Sequence, residues 1–468
     1  MTRNHLRSSL LSTLVLLACF VSGPSVFAQQ DVLEALQPSL NKIDQGTVTS
    51  TVTFLASDAM KGRDTPSAEL TIASHYVAAR FRGAGLKSMV DDGSYFQTHE
   101  IATTSIASEG IVATRDGKAM EHFGMLSANS EPMSYVGEIT MVTGETPKDQ
   151  KFTGPVSVVI EKFGSRRDQS NAMRTMARLR QNGATAILVQ VAPDHRLVQQ
   201  AGNASKPRMV NPRGGAAGHV LLIAKQNVGG EIALELPQQS TSSATVYNVM
   251  GMLPGSDPEL SQEAIIISAH LDHIGQSGSV GDTINNGADD NATGVTAVLS
   301  LADAYAAMPE APKRTVIFIT FWGEEKGLLG SRHYCANPVW PLEKTVANIN
   351  IEMIGRPEPG ANGKCWGTGW DKSDLGELMA VGAKDVGVLI FQHPTFSGDM
   401  LYRASDNAPF VDKGIVAHSF SAGSLHDDYH QPGDEWEKLE LKHMTLVIKG
   451  LFTGSLPIAN GDVTPKKR

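Results

Sequence analysis

Three apolar runs of this sequence end in groups suited to holding divalent cations. Ile265-Ile266-Ile267-Ser268-Ala269-His270-Leu271-Asp272 closes on an imidazole with a carboxylate two residues later, and a carboxylate beside a ligating imidazole fixes its tautomer and raises its basicity. Val316-Ile317-Phe318-Ile319-Thr320-Phe321 runs into Trp322-Gly323-Glu324-Glu325. Adjacent residues there point in different directions, so one carboxylate can hold a metal while the other faces a bound water. Asn350-Ile351-Glu352-Met353 places another acid after an apolar run, and the stretch Asp427 to Asp434 brings a further imidazole, His430. Between the first two runs, Asn286-Gly287-Ala288-Asp289-Asp290-Asn291-Ala292-Thr293-Gly294 opens a long helix; its acids equally suit a helix N-terminus, where the dipole favours negative charge. Each feature alone is common on solvated surfaces. Together they bring several acids to one sheet edge without enough cationic side chains, a charge problem that dications resolve. Two Zn²⁺ with Asp290, Glu325, Glu352 and a bridging hydroxide are formally neutral, and oxygen and nitrogen ligands without cysteine suit zinc, with cobalt or manganese as alternatives.

The elements that must position these groups alternate in type. Strands are predicted over Ala264 to Ala269, Thr315 to Phe321, Val346 to Ile351 and Ile415 to Phe420, with a helix over Ala292 to Ala307. Continuous apolar strands at helical spacing predict an α/β fold with a mostly parallel (mixed) sheet covered on both faces, whose ligands collect beyond the carboxyl ends of the strands. Upstream, a helix over Ala68 to Arg82, stopped by Gly83 and Gly85, is expected to face the core with Leu70, Ile72, Tyr76, Val77 and Phe81. From about Ile101 to Thr245 the texture changes to short β-like runs, including Val156 to Ile160, Ala186 to Val191 and Val220 to Ala224, with one helix over Ala172 to Gln181. This reads as a separate small β-rich unit.

A chain of 468 residues, 41% hydrophobic and 19% charged, suits two compact units and excludes a disordered or fibrous protein. Lys and Arg total 40 against 49 for Asp and Glu, a net charge of -9, and no long basic run precedes Lys466-Lys467-Arg468, so nucleic acid is not an expected partner. Arg3 and Arg7, the apolar stretch Leu10 to Val21 and Val26-Phe27-Ala28 predict a secretory signal peptide cut after Ala28, hence a periplasmic or secreted protein. Ser22-Gly23-Pro24-Ser25 interrupts the roughly 20 apolar residues that spanning a membrane requires. Leu17-Ala18-Cys19 makes a lipoprotein cut before Cys19 the lesser alternative, and no later segment is apolar enough to span. Cys335 and Cys365 then remain, too few for thiolate metal chemistry; one bridge or two buried thiols are both open.

The motifs together resemble the M28 family of zinc peptidases, the co-catalytic aminopeptidases. The matching stretches are Ala269 to His273, Gly287 to Gly294, Gly323 to Ser331, Asn350 to Arg356 and Asp428-Tyr429-His430, in that order, with weaker likeness at Leu55 to Arg63, Tyr95-Phe96-Gln97, Asn248 to Gly255 and Ser405 to Phe410. The resemblance implies a phosphorylase/hydrolase-like fold and two zinc ions per chain. It implies that Asp290 bridges them, one also held by His270 and Glu352, the other by Glu325 and His430. Glu324 would act as general base, taking a proton from the bridging water that attacks the scissile carbonyl and passing it to the leaving amine. Asp272 would orient His270, Tyr429 would polarise the oxyanion or simply pack, and Asp406 would support the substrate end. Many members carry Asp where this chain has Glu352; the longer side chain is expected to serve as the ligand.

The segment with Val156-Ser157-Val158-Val159-Ile160 and Gln181 to Val189 resembles a protease-associated domain, a lid or substrate-contacting module without catalytic groups. The resulting organisation is a signal peptide over 1–28, a discontinuous peptidase domain over 29–105 and 246–460, an insert over 106–245 and a tail over 461–468. The expected activity is hydrolysis of the N-terminal bond of peptides. A single-zinc glutaminyl-peptide cyclotransferase and a carboxypeptidase of the same family are the alternatives; a non-catalytic binding protein would show gaps in the ligand set, and there are none. The sequence has no Gly-x-Ser-x-Gly, His-Glu-x-x-His or Gly-x-Gly-x-x-Gly motif. His273, His333, His393, His418 and His426 are assigned to packing, hydrogen bonding or surface, with His273 and His426 best suited to support ligands from behind.

Overall fold

The computed structural model describes residues 33–468 apart from 108, 143–149, 164, 203, 205, 211–217, 227, 229, 277–280 and 424. The expected signal peptide, residues 1–28, lies outside the described residues.

Apolar runs form the centre because both sides of them are covered. Ala264–His270, Thr315–Phe321 and Ala417–Ser421 are buried at every position. Successive side chains alternate between faces: Ile265 and Ile267 join one apolar core, with helices Gly294–Ala306 and Leu441–Ala459, while Ile266 joins a second with Ile317, Ile319, Tyr334 and Phe410. These strands lie in a nine-stranded sheet in the order Leu389–Phe391, Lys364–Gly367, Ala417–Ser421, Thr345–Ile351, Ala264–His270, Thr315–Phe321, Gln239–Leu253, Phe96–Ile106, Arg208–Met209. The four strands from Ala417–Ser421 to Thr315–Phe321 run parallel, and the pairs beyond Thr315–Phe321 are antiparallel. The sheet is therefore mixed. Register sets the functional edge, because His270 stands opposite Phe321 and both chains leave the sheet on the same side.

Helix Ala68–Gly83 starts where the Ser67 side chain accepts the N–H of Leu70 at 3.0 Å. Its buried stripe is Leu70, Ala73, Val77 and Phe81, with Tyr76 half-buried. Ile72 is 52% exposed and does not belong to it, since two residues from Leu70 is about 200° around the helix. The long helix expected from Ala292 begins at Gly294; Asp290 (φ −105, ψ 92) and Asn291 (φ −135, ψ 41) before it are not helical.

Residues 112–236 build two further sheets. One has five strands, ordered His122–Ser127, His219–Ala224, Ala186–Val191, Val156–Val159, Thr140–Val142; the other has four, ordered Lys118–Ala119, Val112–Arg115, Glu231–Leu236, Met133–Glu138. Their buried residues form clusters separate from the main cores. The helix here runs Arg166–Gln181, earlier than expected from Ala172, because Ser165 and Asp168 form a capping box ahead of a polar first turn that carries no apolar signal. The two long strands at the base pair continuously from Phe96 with Val249 to Ile106 with Gln239, so the sequence boundaries at 105/106 and 245/246 fall within one ribbon.

Cys335 and Cys365 are both free and buried, in cores on opposite faces of the sheet. Burial pushes the Cys335 thiol up to about 12. Among the described residues no helix is long and apolar enough to cross a membrane.

Candidate metal centre

The chain ends leaving the parallel strands are turned inward by backbone geometry that their sequences permit. Gly323 has φ 68 just before Glu324 and Glu325. Gly287 has φ 60, and a Cβ there would lie 2.3 Å from the Asp290 carbonyl oxygen and 2.5 Å from His273 Cγ, so only glycine fits. The loop that follows is held from two sides. Asp434 accepts the backbone N–H groups of Asp289 and Asp290, each at 3.0 Å. Arg63, 1% exposed, donates to the carbonyls of Asn286 at 2.8 Å, Gly287 at 3.0 Å, Leu271 at 2.9 Å and to that of Leu55. Burial lowers its guanidinium to about 10 against the opposing field of Asp272, Asp290, Asp434 and Glu325.

Held this way, the Asp290 carboxylate faces two ligand sets. Its Oδ1 lies 3.2 Å from His270 Nε2, which lies 3.2 Å from Glu352 Oε2. Its Oδ2 lies 3.2 Å from His430 Nε2, which lies 3.2 Å from Glu325 Oε2. Ligands at about 2.0–2.1 Å around a tetrahedral ion stand about 3.3 Å apart, so both sets have the spacing of zinc ligands. His430 Nε2 is buried and makes no hydrogen bond, as an atom reserved for a metal does. The five ligands expected from the sequence thus converge, and among the described residues the two groups able to hold a metal share Asp290.

The second group has a fourth member, His273, which the sequence marks as suited to support a ligand from behind and not as a ligand itself. His273 Nδ1 is 2.7 Å from Glu325 Oε1 and 3.8 Å from Asp290 Oδ2. The shorter distance is that of a hydrogen bond to the carboxylate oxygen turned away from His430. The signal was present in His270-Leu271-Asp272-His273, two imidazoles three residues apart at a strand end.

The electrostatics are those of crowded carboxylates. Burial drives the Asp290 carboxyl up, but His270 and His430 override it and hold it well below the carboxylate range. Burial and the neighbouring Asp290 charge push Glu325 up, yet the His273 and His430 imidazoles bring it to about 2. Burial opposes charge on His430, and Asp290 and Glu325 raise it to about 9. A bound cation takes the place of such protons, because a ligating imidazole must be neutral. Glu324 is pushed well above the usual carboxylate range by burial, with Asp406, Glu352 and Glu325 adding to the effect.

Asp272 acts with its backbone as well as its side chain. Its carbonyl oxygen lies 3.0 Å from His270 Nδ1, whereas its carboxylate is 3.9 Å away. The carboxylate instead accepts the Glu324 N–H at 3.1 Å and the Thr65 hydroxyl at 3.0 Å. Asp406 stands behind Glu352: it meets Ser331, and its neighbour Ser405 donates to Glu352 Oε1 at 2.5 Å, beside Asn350 Nδ2 at 3.0 Å. Burial lifts Asp406 to about 7. Tyr429 stacks on His430 with ring centroids 3.9 Å apart. With Met353, Trp366, Phe396, Leu401 and Leu425 it lines an apolar hollow of about 100 Å³ whose polar wall is His270, Asp290, Glu324 and Glu352. His426 lies 3.4 Å from Asp289 Oδ2. His333 packs on His99, His393 stacks on Phe396 and His418 bonds Ser373, all apart from the two metal-binding groups.

Peptidase family M28 matches residues 248–452, the segment that holds both candidate metal-binding groups. Leupeptin-inactivating enzyme 1 of Streptomyces exfoliatus is 34% identical over 122 residues, 26% of this chain and 25% of that protein. Aminopeptidase YwaD of Bacillus subtilis (strain 168) is 24% identical over 230 residues, 45% of this chain and 44% of that protein. The chain therefore spans less than half the length of these two relatives. Among solved structures, BSAP, a zinc aminopeptidase from Bacillus subtilis, superposes with a TM-score of 0.56 at 19% identity, covering 89% of this chain and 95% of that one. That likeness establishes a shared mixed α/β fold.

Proposed function

We propose that this chain is an exported dizinc aminopeptidase that hydrolyses the N-terminal bond of peptides. The observation that carries the reading is the two-faced Asp290 carboxylate, with one imidazole and one further carboxylate 3.2 Å apart on each side of it. His270, Asp290 and Glu352 would hold one zinc ion; Asp290, Glu325 and His430 would hold the other, with His273 fixing Glu325. Two such ions polarise a scissile carbonyl and make water nucleophilic at neutral pH.

The chain's own groups supply the rest. Glu324, its backbone pinned by Asp272, lines the hollow where the substrate's first residue would sit. It takes the proton of the attacking water and delivers it to the leaving amine, and Tyr429 donates to the developing oxyanion. The polar wall of the hollow carries Asp290, Glu324 and Glu352, and no lysine or arginine occurs among its lining residues. With the carboxylates of that wall assigned to metal and water, the hollow offers no lysine or arginine to pair with a substrate's terminal carboxylate, which supports an aminopeptidase over a carboxypeptidase. The pattern of Arg3, Arg7 and Leu10 to Val21 supports export, and the two separate sheets of 112–236 support a protease-associated insert.

The test combines metal content with hydrolysis of leucine p-nitroanilide and of its N-acetyl derivative, for the wild type and Glu324→Gln. Two zinc per chain, activity on the free amine alone and a loss of about 10²–10⁴-fold in the variant with metal retained are expected. One zinc with ammonia released from a Gln-peptide, or cleavage of N-blocked peptides from the carboxyl end, overturns the reading.

A further inference from the structure

A second hollow is far larger than the one that holds Glu324. A cleft of about 1370 Å³ lies between residues of the nine-stranded unit and residues of the insert, beyond the roughly 300–1,000 Å³ of a small-molecule pocket. Its charge runs against that of the chain. Net charge is -9 overall, yet Lys61, Arg180, Arg196, Lys206, Arg208 and Lys326 line the cleft with only Asp64 and Glu69 to oppose them. Those two acids are already committed, Glu69 to Lys61 at 2.7 Å and Asp64 to Lys326 at 2.7 Å.

The other four cations make no ion pair among the described residues. Arg180 donates to the Ser127 hydroxyl at 3.0 Å, and its Nε is buried without a hydrogen-bond partner. Among the described residues Arg208 reaches the Leu126 carbonyl, at 3.5 Å, and Lys206 the Gln276 side-chain oxygen, at 3.1 Å. Burial alone lowers the guanidinium proton affinity of both Arg180 and Arg208. Partly desolvated guanidinium groups without counter-ions are costly, and a carboxylate partner relieves that cost with a charge-assisted hydrogen bond.

Position decides which carboxylates these are. Gly275 and Lys326 line the cleft and follow His273 by two residues and Glu325 by one, so the cleft flanks the Glu325–His430 half of the centre. The apolar hollow contains the His270–Glu352 half. A peptide with its first residue in the hollow and its scissile bond at Glu324 would leave the centre on the side of the cleft. Resting on the aminopeptidase reading, we propose that the cleft binds the leaving portion of the substrate and selects peptides with acidic residues beyond the scissile bond.

The test compares Leu-Ala-Ala-Ala-Ala, Leu-Ala-Glu-Glu-Ala and Leu-Ala-Lys-Lys-Ala on the zinc-loaded full chain, at low and high salt, for the wild type and for R196Q/K206Q, a pair of exposed positions. The acidic peptide is expected to show about tenfold higher kcat/KM than the neutral one at low salt, through KM, as two or three partly screened ion pairs give. That ratio is expected to fall toward one at high salt and in the double variant. Equal rates on all three peptides in the wild type, or a preference unchanged in R196Q/K206Q, overturn the proposal. If neither the peptides nor leucine p-nitroanilide is hydrolysed, the activity reading fails by itself. Fluorescence anisotropy with labelled acidic and basic peptides then still decides the cleft: tighter binding of the acidic one, lost in the double variant, supports it, and equal binding sinks it.

Discussion

The Asp434 carboxylate accepts the backbone N–H of Asp290 at 3.0 Å. This bond, with its companion to Asp289, holds the loop so that the two Asp290 oxygens face opposite ligand sets. Asp434→Ala leaves two buried N–H groups without an acceptor, a loss of about 1–3 kcal/mol for each unsatisfied group. Asp434→Asn keeps one oxygen and is expected to cost less. Urea unfolding gives the stability, and elemental analysis is expected to show metal lost from both positions in Asp434→Ala. Full metal content in that variant would mean that the loop holds itself.

His273 is expected to act on affinity at one metal position. His273→Leu removes the partner of Glu325 Oε1, and loss of such an outer hydrogen bond lowers metal affinity about 10–100-fold. His273→Gln, which can donate to the same oxygen, is expected to recover part of it. Competition with a zinc chelator reads this directly: one of the two ions should become easier to remove while the other is unchanged. Equal weakening of both would make His273 a packing residue.

Arg63 joins three backbone segments through four carbonyl oxygens, those of Leu55, Leu271 and the adjacent Asn286 and Gly287. An ammonium cannot reach all of them, because the fork geometry belongs to guanidinium. Arg63→Lys is therefore expected to destabilise the protein by about 3 kcal/mol or more, in the range found when a buried charged network loses its partners. A shift below about 1 kcal/mol in denaturant midpoint analysis would show that the segments around the centre stay together without it.

His443 gives a pH dependence away from the metal. Its Nδ1 accepts the Gly363 N–H at 3.0 Å, and burial lowers its pKa to about 4 from 6.5. A histidine with a depressed folded pKa contributes stability above 6.5 that is lost as pH falls toward 4, since the unfolded chain takes up a proton that the native state refuses. The loss is at most about 3 kcal/mol across that window. His443→Gln, which can still accept from Gly363, is expected to flatten the stability profile between pH 6.5 and 4. An unchanged slope would assign the acid sensitivity elsewhere.

Much of this was legible in the sequence because the strands bearing ligands are buried on both faces. Continuous apolar runs such as Ile265 to Ile267 locate the strand ends, and the groups after them then need only converge. The exact contacts of the supporting residues depend on the turns after those strands. His273 and Asp272 follow one strand by a few residues, and whether a ring or a carbonyl points inward is set by contacts with Glu325 and His270. Ile72 was misplaced because apolar character alone does not say which side of a helix faces the core. The run Gln239-Ser240-Thr241-Ser242-Ser243 is a strand only because Phe96–Ile106 pairs with it, and its polar composition carries no trace of that partner.

The ribbon formed by Phe96–Ile106 and Gln239–Leu253 also sets a timetable. Ile106 meets Gln239 directly, so the chain departs from the large sheet and rejoins it at adjacent points. At about 5–20 residues per second, synthesis of the stretch between them takes on the order of ten seconds. Through that interval the first strand lacks its long mate, with the two-residue strand Arg208–Met209 as its other neighbour, and an unpaired strand edge invites pairing with other chains. The two smaller sheets, whose apolar clusters draw on Ile106 and otherwise on residues within that stretch, can close meanwhile and bring the two ends of the gap together. The insert is thereby a splint as well as a wall of the cleft: its own folding turns a distant strand pairing into a local one.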